Sequence, residues 1–363
     1  MILCEHCLRD SVLINAVRSI PEVKKKECPV CHSISSHFYD TDKDEGLIPH
    51  FENLLDIYTV ASNLQSGYPK EKIHSLVCDL DERWELFSSN IKDKDKIEIL
   101  KSICPGKSAL FTGEVGIPEL YDSEYLQENA LVKNGNWEDF VKEIQTINRY
   151  HSKLFESNIL QKYCSFIRQP YKKGDVFYRA RISDKEGFKP EDMSAPPAGK
   201  SSEGRANARG IKCLYLADDP ETTLREIRAS LFDFVTVGKF ILKQDITVVN
   251  FRIIMQISPF FEEMDLKNYA VNVHFLERIH TEMEKSLRKS DSTLDYVPTQ
   301  YIVDSIKTFD ENGSLEYSGI EYNSTVYPKG YNLAVFDPTL FECVSSEVYE
   351  ITDIDYKYKK VGK

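Results

Sequence analysis

From residue 174 onward the chain alternates short apolar, β-branched runs with polar turns. The runs are "VFYRARI" (176–182), "CLYLA" (213–217), "VTVGKFIL" (235–242), "ITVVNF" (246–251), "NLAVFD" (332–337) and "SEVYEITDIDYKY" (346–358). Runs of this length and composition predict strands. Apolar positions at helical spacing lie between them, at 220–230, around 272–289 and at 298–308. Strands and helices mixed without regular βαβ alternation predict an α+β domain.

The half before this has a different texture. After a polar linker, "DTDKDEG" (40–46), residues 47–168 read as mainly helical. Leu54, Leu55, Tyr58 and Ala61 recur at helical spacing, and Trp137, Phe140, Val141, Ile144, Leu154 and Phe155 form a longer stripe behind Asn136, a predicted N-cap. The expected division is a small module at 1–45, a helical domain at 46–168 and an α+β domain at 169–363.

Composition narrows the chemistry. The chain has 363 residues, 41% of them apolar, enough for a real core. Its net charge of −12 opposes general affinity for nucleic acid, leaving Lys24-Lys25-Lys26 as the basic tract available for a local nucleic-acid contact at the N-terminal module. No basic-then-apolar leader and no membrane-length apolar run is present, so a soluble, cytoplasmic protein with no membrane partner is expected.

Of nine cysteines, Cys78, Cys104, Cys164, Cys213 and Cys343 stand alone in apolar or strand-like surroundings, as reduced core cysteines do. The other four, Cys4 and Cys7 in "CEHC" and Cys28 and Cys31 in "CPVC", form two C-x2-C knuckles. Each knuckle can place two thiolates on one tetrahedral ion, so structural zinc is the expectation, with a redox pair as the alternative. His6 and His32 lie beside the knuckles as substitute ligands. Four thiolates close the coordination sphere, so metal catalysis is not expected there.

Two apparent motifs are discounted. "CPGKS" (104–108) lacks the first glycine of a phosphate loop, with Lys101 in its place. Arg149 and His151 in "NRYHSK" are two residues apart and, on a helix, would face different ways; they are read as surface or packing residues.

The second half carries a denser constellation. Arg179 and Arg181 share one face of a strand, which suits either a solvated edge or a phosphate clamp, because guanidinium presents a donor fork to phosphate oxygens. The Pro-, Gly- and Ser-rich segment "MSAPPAGKSSEGRANARG" (193–210) then delivers Arg205 and Asn207 ahead of the strand bearing Tyr215. Tyr215 opposes Leu214 and Leu216, as a stacking platform or as core. On the next helix Asp219 is the predicted N-cap, Pro220 the first residue, and Glu221 and Arg225 an i, i+4 surface pair. Glu226 has no charged neighbour at helical spacing and lies beside the apolar stripe of Leu224, Ile227 and Leu231, either as boundary surface or as a functional carboxylate.

In this order, "FYRARIS", "MSAPP" followed by "GRAN", "LYLADDPETTLREIRAS", "DYVPTQYIVDSIK" and "GIEYNSTVYPKGYNLAVFD" resemble the RES family, over about half of the chain. The family's arginines fall on Arg179 and Arg205, its tyrosine on Tyr215, its glutamate on Glu226 and its serine on Ser324; many shorter members carry an aromatic where Ala206 stands here. The resemblance implies an ADP-ribosyltransferase-like mixed β core with flanking helices. It also implies an NAD-consuming enzyme, a glycohydrolase or phosphorylase of the toxin-antitoxin kind. Glu226 would stabilise an oxocarbenium, Arg179 and Arg205 would bind the pyrophosphate, with Arg181 and Asn207 beside them, Tyr215 would pack on a ring, and Ser324 would orient Glu226 or a phosphate. The longer form, with a helical region first, implies a protein inhibitor or regulatory partner. ADP-ribosyl transfer to a protein or nucleotide is the enzymatic alternative, and a zinc-knuckle adaptor that only binds a nucleotide is the non-enzymatic one.

Overall fold

The structure, a computed structural model, describes residues 1–133, 136–197, 199–286, 292–311 and 313–354. The chain divides into two compact units, Met1–Gly135 with Gln256–His274, and Asn136–Met255 with Phe275–Lys363. The cysteine module and the helices up to residue 133 therefore share one unit, and the segment from Asn136 to 168 lies in the same unit as the α+β region.

In the first unit, β1 (Ile2–Cys4) is followed by α1 (Ser11–Arg18), β2 (Lys26–Glu27), β3 (Ile34–Ser35) and β4 (Phe38–Asp40). β1 pairs with β4 and β2 with β3, so each knuckle sits at the end of a strand pair. α2 (Ile48–Asp56) buries Phe51, Leu54 and Leu55, as its periodicity predicts. The helical expectation for 47–168 needs one correction here: β5 (Thr59–Val60), β6 (His74–Ser75) and β7 (Glu114–Gly116) form a three-stranded antiparallel sheet between the short helices α3 (Leu76–Asp79), α4 (Asp93–Ile103) and α5 (Ser123–Asn129). These strands are two or three residues long, below what a periodicity can register. "CPGKS" forms a tight 3-10 turn after α4, with Lys107 paired to Asp56.

In the second unit, α6 (Trp137–Thr146) is capped by Asn136, whose Oδ1 accepts from the amides of Glu138 at 3.0 Å and Asp139 at 3.2 Å. It ends at Thr146, so Leu154 and Phe155 lie beyond it, before α7 (Ser157–Phe166). β8 (Arg168–Tyr171), β9 (Val176–Ser183), β10 (Leu214–Ala217), α8 (Pro220–Glu226), β11 (Phe234–Leu242), β12 (Ile246–Asn250), the part of α9 (Leu266–Glu284) from Phe275 on, and α10 (Val297–Ile306) follow. The short pair β13 (Asp310–Glu311) and β14 (Ser314–Leu315) precedes β15 (Gly319–Asn323), β16 (Tyr331–Val335) and β17 (Phe341–Glu350). The parts of the expected helix at 287–289 and of the last expected strand at 355–358 lie outside the described residues.

One eight-stranded mixed sheet, in the order β17-β11-β9-β10-β16-β15-β12-β8, organises this unit; β12 and β15 run parallel and the other neighbours antiparallel. Phe177, Leu214, Leu216, Phe240, Leu242, Leu333 and Val335 project from one face into the main core. Ala180, Val235 and Val237 project from the other face, where Leu224 of α8 and Ile227 just past its end cover them. The α+β expectation is met.

Glu321 of β15 is 1% exposed and forms a 2.6 Å ion pair with Arg252, while the Tyr171 hydroxyl donates to its second oxygen at 2.6 Å. Removing one partner of a buried pair strands the other charge. Arg252→Ala should therefore destabilise the second unit by about 3 kcal/mol or more, read as a lower urea midpoint.

Candidate active site

α8 is held through its N-terminal half. Asp219 Oδ1 accepts from the Thr222 amide at 2.9 Å, its Oδ2 accepts from the Thr222 hydroxyl at 2.8 Å, and Pro220 opens the first turn. β9 and β10 share a single registered pair, Tyr178 with Ala217, and part beyond it. Past that pair the Ala180 amide donates to the Thr223 hydroxyl at 2.7 Å, so α8 satisfies backbone that β10 leaves open. This anchoring places Glu226 at the last turn of α8, half-buried.

One oxygen of Glu226 is fully engaged. Its Oε1 accepts from Ser324 Oγ at 2.7 Å and from Asn332 Nδ2 at 2.7 Å; Oε2 has no hydrogen-bond partner among the described residues. Ser324 Oγ in turn accepts from the amides of Val326 at 3.3 Å and Tyr327 at 3.1 Å. Two donors into its lone pairs leave the hydroxyl proton directed at the carboxylate, which fixes Ser324 as a donor to Glu226. Ser324 and Gly330 close a loop through a 3.0 Å backbone bond, and a Cβ at Gly330 would collide with Thr222 of α8. Gly330→Ala should displace this loop, cost about 1–3 kcal/mol of stability and loosen Glu226, measurable by thermal melting.

The neighbouring wall comes from the segment before β10. The Tyr215 hydroxyl donates to Asn207 Oδ1 at 2.6 Å and accepts from the Ala206 amide at 3.0 Å. Asn207 Nδ2 reaches the carbonyls of Ser202, Ala208 and Ile211 at 2.8–3.0 Å, so Asn207 shapes the loop. Gly204 permits this closeness, since a Cβ there would lie 2.5 Å from the Tyr215 hydroxyl. Arg205 lies 5.5 Å from the ring centre of Tyr322 and donates to the carbonyls of Glu282 at 2.5 Å and Lys285 at 2.7 Å, leaving further guanidinium hydrogens available. Burial pushes the Tyr215 and Tyr322 hydroxyls well up, with the Glu226 carboxylate adding to the effect at Tyr322 and Arg205 opposing it at both. Both are neutral phenols near pH 7.

Strand alternation decides which residues meet. Tyr215, Tyr322 and Asn332 share the α8 face of the sheet with Glu226, in register through Ala217 and Ala334. Arg179 and Arg181 alternate with Tyr178 and Ala180 and so project from the opposite face, beside Phe177 and the main core. Arg179 donates to the carbonyls of Met193 at 2.6 Å and of Ser194. Arg181 donates to that of Asp192 at 2.6 Å and stacks 3.9 Å from the Phe188 ring centre. Burial and the charge of Arg181 lower Arg179 to about 10, which still leaves it cationic at neutral pH. The sheet thus brings together Glu226, Ser324, Tyr215, Asn207 and Arg205, whereas Arg179 and Arg181 hold the start of the same loop from the far side. Asn332 and Tyr322 were missed by sequence reasoning. Their signal is weak: each is a polar-ended residue alternating with apolar ones in a strand.

A family model described as RES domain matches residues 176–358, half of the chain. The chain belongs to the RES domain family. Every residue of the constellation, from Arg179 to Ser324, falls inside the match, and RES domains form an NAD-related enzymatic family. No curated protein and no solved structure matches the chain. No helix among the described residues of this RES protein is long and apolar enough to cross a membrane.

The N-terminal cysteines form a second centre. The sulfurs of Cys4, Cys7, Cys28 and Cys31 lie within 4.8 Å of one another, all buried, with Cys4–Cys31 at 3.5 Å and Cys7–Cys28 at 3.6 Å. Four thiolates on a tetrahedral zinc at about 2.3 Å would be about 3.8 Å apart, so the cluster is compatible with zinc. The neighbouring Cys28 sulfur pushes Cys4 up to about 12 and Cys7 further, while the bonds that Cys28 receives from both lower it. Four sulfurs this close give up their protons together only to a cation. His6 and His32 turn instead to Glu5 and Glu27, at 3.6 and 2.9 Å.

Proposed function

We propose that this RES protein cleaves the nicotinamide–ribosyl bond of NAD, handing ADP-ribose to water or inorganic phosphate. The observation that carries the reading is Glu226: one oxygen is pinned by Ser324 and Asn332, and the other has no partner among the described residues. In NAD the bond from ribose C1′ to the pyridinium nitrogen breaks with its electron pair going to nitrogen. Nicotinamide therefore leaves neutral and needs no general acid. The positive charge passes to an oxocarbenium-like ribose, as in glycoside cleavage, and the free oxygen of Glu226 opposes it. Water or phosphate then forms the new bond at C1′, and a proton from water passes to the carboxylate or to solvent.

Arg205 supplies guanidinium hydrogens to the pyrophosphate and Tyr215 packs on a ring. Arg179 and Arg181, on the far face of the sheet, hold residues 192–194 at the start of the Arg205 loop and do not reach the pyrophosphate in this arrangement. Arg205→Ala should raise KM for NAD by about tenfold or more with a smaller change in kcat, because a charge-assisted contact already present in the ground state is lost.

Incubation of the purified protein with NAD, with and without phosphate, and identification of products by mass tests the reading. Free nicotinamide with ADP-ribose or its 1″-phosphate supports it, and intact NAD overturns it. Product mass appearing on a protein or nucleotide would favour ADP-ribosyl transfer. We propose structural zinc at the cysteine cluster and a regulatory partner for the intact chain, because unrestrained NAD loss would harm its own cell.

A further inference from the structure

A cavity of about 560 Å³ in the second unit stands apart from Glu226. One wall is the segment "RYHSK", 149–153, and the opposite wall is α10, with Gln300, Tyr301 and Asp304. The segment follows the end of α6 in a turn, so the helix-face reasoning that set Arg149 and His151 apart does not hold. Arg149, His151 and Lys153 all line the cavity. Among the described residues neither Arg149 nor Lys153 has a carboxylate within ion-pair distance, in a chain of net charge −12. The carboxylate in the lining, Asp304, is already paired with Lys307 at 2.9 Å.

Phe155, Val297 and the ring of Tyr301 give the cavity an apolar side, and Tyr150, 76% exposed, stands at its rim. Tyr301 is itself held edge-on by Phe140 and Phe155, so this side is rigid. A guanidinium, an ammonium and an imidazole facing an apolar, aromatic wall suit a phosphate ester carrying a flat ring, and the volume suits one molecule of that size.

We propose that this cavity is a second ligand site, for a phosphorylated nucleotide, separate from the site at Glu226. Gln300 in its wall is 6% exposed and donates to the carbonyls of Gly204 at 2.9 Å and Asn207 at 3.0 Å. These residues flank Arg205, so the ligand's wall also supports the Arg205 loop. If the NAD reading holds, occupancy tunes that reaction; the site itself does not depend on that reading.

The test is hydrogen exchange of the full chain with and without millimolar ADP, in wild type, in Arg205→Ala and in the double variant Arg149→Ala/Lys153→Ala. Protection of 149–153 and 300–308 is expected in wild type and in Arg205→Ala, and is expected to fall at least tenfold in apparent affinity in the double variant. Both substituted side chains are exposed, so folding should survive, and circular dichroism checks it. Absence of protection in wild type, or protection unchanged in a folded double variant, overturns the proposal. The readout needs no NAD turnover, so it fails or succeeds independently of the catalytic reading.

Discussion

Glu226→Gln should lower NAD cleavage by about a hundredfold or more, some 2.7 kcal/mol of transition-state stabilisation, while NAD affinity changes little. The substitution is nearly isosteric, and its remaining carbonyl oxygen can still accept from Ser324 and Asn332, so the pocket keeps its shape. What is lost is the charge opposite the developing oxocarbenium. Ser324→Ala should have a smaller effect, because Asn332 still holds the same oxygen. Glu221→Gln is the control: it removes charge from an exposed 2.7 Å pair with Arg225, and turnover should stay within about twofold. Single-turnover kinetics with binding measured separately would check this, and near-wild-type turnover in Glu226→Gln would refute the catalytic assignment.

Stripping the metal, or replacing Cys28 with serine, should unfold the small strand pairs of the first unit while the eight-stranded sheet keeps its far-ultraviolet signature. The argument is local. Leu3, Cys4, Cys7, Cys28 and Phe38 make much of this module's interior, and β1 to β4 are only two or three residues long. Strands so short cannot hold together on backbone bonds alone, so an ion held by the four cysteines would contribute folding energy directly. Metal analysis should find one zinc per chain, and a chelator should shift the first unfolding transition and leave the second. Less than half an equivalent of zinc in carefully purified protein would rule the centre out.

Much of this was legible in the sequence because it rests on short-range rules. The caps at Asn136 and Asp219 act through side chains two or three residues from their donors, and both knuckles are fixed by spacing. β9, β10, β11, β12 and β16 followed from apolar, β-branched runs bounded by turns, whereas β15, a five-residue strand inside the sheet, was not read from its sequence. Long-range matters were hidden. Arg179 and Arg181 share a face, as alternation requires, but which face meets α8 depends on packing by Leu224 and Ile227. Asn332 meets Glu226 across 106 residues of chain, and no spacing announces it. The cavity beside "RYHSK" was missed because the segment was judged as helix, whereas α6 stops at Thr146.

The parting of β9 from β10 has a mechanical meaning. With Tyr178 and Ala217 as the single registered rung, the sheet is in effect two panels, three strands and five strands wide, joined along the backbone by that rung and otherwise by α8 and the shared apolar core. Every other neighbouring pair in the sheet has two or more registered rungs, so a small change of angle at this seam disturbs fewer backbone bonds than at any other. Any ligand touching both panels at the seam would therefore act as a strut, stiffening the joint.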